Sequence, residues 1–175
     1  HILNQEEEIW AERVFAPWPD MEDRLRRTNV PLYSLESYTP LSRFDLVGFT
    51  LQYELTYTNV LNMLDLGGIP VLAEQRKEGD SFVIAGGPCA CNPEPMADFF
   101  DIVLTGDGEE GFPEVCRRIR AGRAAGKNRK EILYSLHDIG GVYLPGFYRT
   151  EYDADDRFRA IVPESDAMPE VIRAG

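Results

Sequence analysis

Apolar positions along the chain change their period several times, and each change marks an element. Short apolar blocks alternate with stretches whose apolar residues recur at helical spacing. That alternation predicts strand, helix, strand, helix and a mostly parallel sheet covered on both faces. The clearest block is Phe44-Asp45-Leu46-Val47-Gly48-Phe49-Thr50-Leu51. It is nearly continuous in apolar residues, as a strand buried on both faces should be. Ser81-Phe82-Val83-Ile84-Ala85 and Ile102-Val103-Leu104 repeat the pattern in shorter form. These three segments are expected to be adjacent, parallel and central in one sheet. Residues 9–15 read as a further strand with polar interruptions at Glu12 and Arg13, and residues 31–36 as a short extended piece.

Between the strands, residues 20–27 read as a helix capped by Asp20 after Pro17 and Pro19. Residues 55–66 carry Val60, Leu61 and Leu64 as an apolar stripe that ends at Gly67-Gly68. Helices are also expected at 93–99, 110–121 and 129–137. After Gly140-Gly141 the period becomes 2: residues 147–151 and 158–162, around Asp153-Ala154-Asp155-Asp156, predict an antiparallel hairpin at the sheet edge or leaving the domain. Residues 163–175 read as linker. The expected fold is α/β, a three-layer α/β/α arrangement over residues 1–146, followed by hairpin and linker over residues 147–175.

Composition narrows the function classes. Hydrophobic residues are 43% and charged residues 27% of the 175, normal for a soluble globular domain. Eighteen basic and thirty acidic side chains give a net charge of −12. Such a field repels phosphate backbones, which argues against direct nucleic-acid binding. No apolar run approaches the roughly 20 residues of a membrane helix. Three cysteines (Cys89, Cys91 and Cys116) suit a reducing cytoplasm better than a disulfide framework.

In a doubly wound sheet, ligands sit beyond the carboxyl ends of the strands. Three segments occupy that place: Gln52-Tyr53-Glu54, Gly86-Gly87-Pro88, and Gly106-Asp107-Gly108-Glu109. Paired glycines allow a ligand or a neighbouring segment to approach the backbone. Ordinary tight βα turns, with acids complementing a helix N-terminus, account for the last two better, and capping by Thr56 or Thr58 accounts for the first equally well. Gly106 to Glu110 is not a phosphate cradle: no Lys-Ser/Thr follows, and its acids repel anions. The spacing of Cys89 and Cys91, with no second ligand pair, fits a turn better than a metal knuckle. Cys116 falls at an apolar helix position, and His137 near a helix C-terminus that it can stabilise. No catalytic residue and no metal ligand is expected in this chain.

Three of these segments resemble a known family. Phe44-Asp45-Leu46-Val47-Gly48-Phe49 resembles a strand of the cobalamin-binding-like (flavodoxin-like) domains fused to radical SAM cores, with Thr50 where serine is usual. Ile84-Ala85-Gly86-Gly87-Pro88 with Asn92-Pro93-Glu94 resembles their glycine turn, and Asp101-Ile102-Val103-Leu104-Thr105-Gly106-Asp107-Gly108-Glu109 their next strand and turn. The wording of residues 9–66, from Trp10-Ala11-Glu12-Arg13-Val14-Phe15 to Leu51-Gln52-Tyr53-Glu54, is similar to an uncharacterised bacterial radical SAM family that carries this domain ahead of its core. Asp107 stands where glutamate is usual, and Pro88-Cys89 where many relatives have Pro-His. The D-x-H-x-x-G cobalt-ligand motif and the cluster motif C-x3-C-x2-C are both absent from the sequence.

The resemblance implies an accessory domain that covers or docks on the radical SAM barrel of the same polypeptide, whose cofactors are a 4Fe-4S cluster and S-adenosylmethionine. Two alternatives stand beside it: a corrinoid (cobalamin) domain supporting methyl transfer, with Gln52, Tyr53, Glu54, Gly86, Gly87, Pro88, Gly106, Gly108 and Glu109 facing the ligand, and a free-standing flavodoxin-like regulatory module. It also places a first strand before His1 and the cluster motif beyond Gly175, so the sheet is expected to lack a member or to take one from a second copy.

Overall fold

A computed structural model describes residues 2–174. Its centre is a four-stranded sheet in the order β1-β2-β3-β4, with β1 at Leu46–Thr50, β2 at Phe82–Gly86, β3 at Ile102–Leu104 and β4 at Val142–Tyr143. β1, β2 and β3 are parallel neighbours, and β4 closes the far edge antiparallel. β5 (Tyr148–Tyr152) and β6 (Phe158–Pro163) form a separate antiparallel hairpin.

Side-chain alternation explains why the sheet has two buried faces. In β2, Val83 and Ala85 point into one hydrophobic cluster with Val47, Phe49 and Val103. Phe82 and Ile84 point into another with Ile102 and Leu104. Helix α2 (Tyr57–Leu66) supplies Val60, Met63, Leu64 and Leu66 to the first cluster. Helices α3 (Gly108–Ala124) and α4 (Arg129–Tyr134) supply Val115, Ile119 and Ile132 to the second. α4 starts with a capping box: Asn128 accepts from the Glu131 N–H while the Glu131 carboxylate accepts from the Asn128 N–H.

Several expectations need correction. Residues 9–15 form no strand. They run extended without a ladder, held by Arg13 N–H and guanidinium donations to Glu36 (2.8 and 2.7 Å) and a Ser37 hydroxyl donation to Glu12 (2.7 Å). The hydroxyls of Ser34 and Ser37 hold the Glu12 carboxyl down at about 2. The polar interruptions are therefore the anchors of this segment. β1 is an edge strand and not a central one; Val47 and Phe49 are buried while Gly48 and Thr50 are exposed. The first helix, α1 (Pro19–Thr28), is capped at Trp18 and not by Asp20, since Pro19 needs no hydrogen-bond acceptor at the first helical position. The helix expected at 93–99 is a 3-10 helix, Glu94–Phe99, and a second covers Pro88–Cys91. The segment read as linker packs on the core through Met168, and the Tyr148 hydroxyl donates to the Pro169 carbonyl at 2.8 Å.

At the amino end of β2 and β3 lies a buried ionic knot that the sequence pattern does not reveal. Asp101, just before β3, accepts from the Arg76 guanidinium (2.8 Å) and from the Val83 N–H of β2 (2.8 Å), and pairs with Arg129 at 2.8 Å. The Arg76 side chain is fully buried and also donates to the carbonyls of Pro70, Val71 and Phe99. Burial pushes the Arg76 guanidinium down from its usual value, and Asp101 opposes that. Arg129 donates to the carbonyls of Asp80 and Ser81 and stacks 4.2 Å above the Phe82 ring. Removing one partner of a buried pair strands the other charge, so Asp101→Ala is expected to destabilise the fold by about 3–5 kcal/mol. Chemical denaturation checks this; a loss under about 1 kcal/mol, the range of an exposed pair, would contradict it.

Candidate functional site

Because β1, β2 and β3 are parallel, the segments that follow them leave from the same end of the sheet. Backbone bonds tie the first two together: the Leu51 N–H donates to the Gly86 carbonyl at 2.7 Å, and the Cys89 N–H returns to the Leu51 carbonyl at 3.0 Å. Gly87 is the pivot. Its φ is +98°, and a Cβ there would lie 3.1 Å from the Leu51 carbonyl oxygen and 3.1 Å from Thr50 Cγ2. After β3, Gly106 takes φ +91°, a conformation that favours glycine, and turns the chain into α3. The Thr105 N–H donates to Gly141 at 2.8 Å, binding this turn to the entry of β4.

A hollow of about 260 Å³ opens at this end, on the α3 side of the sheet. Its wall includes Gly48, Thr50, Gly86, Gly87, Gly108 and Phe112. Of the residues singled out in the sequence, Gly86, Gly87 and Gly108 are therefore brought together. Gln52, Tyr53, Glu54, Pro88, Gly106 and Glu109 lie outside that wall. Gln52, Tyr53 and Glu54 are exposed and lead through a 3-10 turn into α2. The Thr56 hydroxyl donates back to the Tyr53 carbonyl at 2.7 Å and does not cap α2. Gly48, Thr50 and Phe112 escaped the sequence reading because the strand read as buried on both faces; the small residues at 48 and 50 were the available signal.

Two phenols near this end are held by their surroundings. The Tyr57 phenol is pushed up by burial and by the neighbouring Cys89 thiol. Tyr143 is buried, and its hydroxyl donates to Glu94 at 2.8 Å, which pins the Glu94–Phe99 turn to β4. Burial, then the Glu94 carboxylate, push that phenol far up. Asp107, Glu109 and Glu110 make the entrance of α3 acidic.

The residues present do not fit a metal cluster. Cys116 is held in α3 with its thiol pushed up to about 11 by burial, Cys89 faces Tyr57, and Cys91 is exposed. Among the described residues no three His, Cys, Asp or Glu side chains are grouped to hold a metal ion. Among the described residues no histidine lines the hollow: a His137 ring nitrogen sits 2.7 Å from the Tyr134 carbonyl, past the end of α4. Nor is any helix among the described residues long and apolar enough to cross a membrane.

Comparison with known proteins gives this architecture a family. Residues 1–145 match the family described as radical SAM proteins, N-terminal, and the chain belongs to it. Over 88 residues it is 36% identical to the uncharacterized protein MJ0966 of Methanocaldococcus jannaschii, a match covering 49% of this chain and 18% of that protein. The chain thus spans under a fifth of the curated relative's length. No solved structure matches.

The geometry separates two kinds of glycine at the site. Gly87→Ala forces a side chain into a left-handed conformation against backbone atoms and is expected to destabilise by about 1–3 kcal/mol. Gly108→Ala meets only Leu104 Cδ2 at 3.8 Å and should be neutral or slightly stabilising. Thermal unfolding of the two variants checks the contrast; equal effects would contradict it.

Proposed function

We propose that this chain is an accessory, non-catalytic domain of a radical SAM protein that docks on or covers the catalytic barrel of the same polypeptide with the carboxyl end of its sheet. Membership of the N-terminal family supports the partner. The observation that carries the docking surface is the exposure of apolar side chains after β1: Leu55 is 85% and Tyr53 54% exposed. Exposed apolar side chains that gather into a contiguous patch mark interaction sites. The iron-sulfur cluster and S-adenosylmethionine belong, in this reading, to the barrel. The three-layer, cobalamin-binding-like arrangement is part of the proposal, supported by hydrophobic clusters on opposite sheet faces. So is the division into a domain at residues 1–146 and a hairpin and tail at 147–175. A cytoplasmic location accords with three free cysteines.

The corrinoid reading draws on the same hollow. Glycine backbone at Gly48, Gly86, Gly87 and Gly108 would let a flat ring approach. The volume weighs against it: about 260 Å³ falls below the roughly 300–1,000 Å³ of pockets for drug-sized ligands, and a corrinoid is larger than those.

The full-length protein tests both readings. Leu55→Asp should lower 5′-deoxyadenosine formation from S-adenosylmethionine by about tenfold, the equivalent of about 1.4 kcal/mol of lost contact. Lys77→Glu, exposed before the amino end of β2, should leave it unchanged. Equal rates in wild type and Leu55→Asp would overturn the docking reading. A visible-spectrum change on adding hydroxocobalamin, abolished by Gly108→Phe, would establish the corrinoid reading. Gly108 is the better probe because a bulky residue at Gly87 would strain the backbone with or without a ligand.

A further inference from the structure

Lysine is rare in this chain, and its placement is uneven. Of the eighteen basic side chains only three are lysines: Lys77, Lys127 and Lys130. Among the described residues every ion pair is made by arginine, so no lysine holds the fold through one. Two of the three lysines line one open hollow of about 400 Å³, with Glu131, Tyr134, Ser135 and Phe147. α4 and the 3-10 turn Pro145–Phe147 that follows β4 build most of its wall, and no element of the β1 edge takes part.

The fold sets these side chains in place. α3 stops before Gly126, which takes φ +68°, and the Lys127 N–H donates back to the Gly122 carbonyl at 3.0 Å. Lys130 lies in the first turn of α4, behind the capping box, with its Nζ 5.7 Å from the centre of the Phe147 ring. The Tyr134 ring, 41% exposed, stands 6.1 Å from the Phe147 ring at 53°. One Glu131 carboxylate oxygen accepts from the Asn128 N–H at 2.9 Å, which leaves the other as an acceptor.

We propose that this hollow binds a free nucleoside phosphate. Two unpaired ammonium groups make a local positive site in a chain of net charge −12. A lysine meets phosphate as a point charge and needs no fixed fork geometry. The exposed Tyr134 ring offers a face on which a base stacks. The remaining Glu131 oxygen accepts from a sugar hydroxyl or a base N–H. The volume lies within the roughly 300–1,000 Å³ of small-ligand sites. The acidity of the whole chain repels a polyanion, so the ligand is a single nucleotide and not a nucleic-acid strand. Lys130 follows Arg129 of the buried knot, which places the hollow towards the locked end of the sheet. The proposal therefore does not rest on docking by the carboxyl end.

Amine labelling of the full-length protein, read by mass spectrometry, tests this. The probes are the monophosphates of adenosine, guanosine, cytidine and uridine, inorganic phosphate, and a single-stranded oligonucleotide. At least one monophosphate is expected to lower labelling of Lys127 and Lys130 severalfold, with exposed Lys77 unchanged as the internal control. Tyr134→Ala is expected to raise the concentration for half protection by about tenfold, as the loss of one base–aromatic stack does. Absence of protection by every monophosphate, or equal protection of Lys77, would overturn the proposal. So would inorganic phosphate protecting as well as the nucleotides, the oligonucleotide protecting better, or Tyr134→Ala leaving half protection where it was. The labelling comparison uses the wild-type protein and decides the matter even where the Tyr134 variant fails to fold.

Discussion

The fold depends on one buried carboxylate. Asp101 sits where β3 begins, and its Oδ2 meets Arg76, Arg129 and the Val83 N–H together. Two cations and one anion would be poorly placed in an apolar interior if that carboxylate were not shared. Sharing it joins the loop before β2, β2 itself, β3 and the start of α4. Arg76 reaches the carbonyls of Pro70, Val71 and Phe99, and Arg129 reaches Asp80 and Ser81 across the Phe82 ring. The amino end of the sheet is thereby fixed in position. The turns at the opposite end inherit that frame, because β1, β2 and β3 are short and run in one direction.

What those turns can do follows from the residues on them. Glycine is the commonest residue of the hollow, and the polar groups nearby are either paired or exposed: Glu94 with Tyr143, Thr56 with the Tyr53 carbonyl, Asp107 and Glu109 at the surface. In the proposed reading, this end offers shape and apolar contact to the barrel. Exposed Leu55 and Tyr53 would add to the proposed surface, with the acids at the start of α3 as its rim.

The parallel core was legible from the sequence because buried strands must be apolar on both sides, and Phe82 to Ala85 and Ile102 to Leu104 are. The hairpin was legible from its period of two. β1 misled because Gly48 and Thr50 are as compatible with a buried strand as with an open one, and only the strand's place in the sheet distinguishes them. Residues 9–15 misled because a strand is defined by its ladder, and this segment finds side-chain anchors in Glu36 and Ser37 instead. The Arg76–Asp101–Arg129 knot was invisible because its members lie 25 and 28 positions apart, and no local pattern links them. At the site, the glycines announced the turns. The hollow between them needed α3, and Phe112 with it, in three dimensions.

The central claim is that the carboxyl end of the sheet, and not the end locked by Asp101, faces the catalytic barrel. Hydrogen–deuterium exchange compares this chain with the full-length protein residue by residue. The account predicts slower exchange in the full-length protein at residues 52–56, 86–92 and 105–109, with no change at residues 76–81, whose amides lie at the locked end. Equal exchange in the three carboxyl-end segments, or added protection confined to residues 76–81, would contradict it.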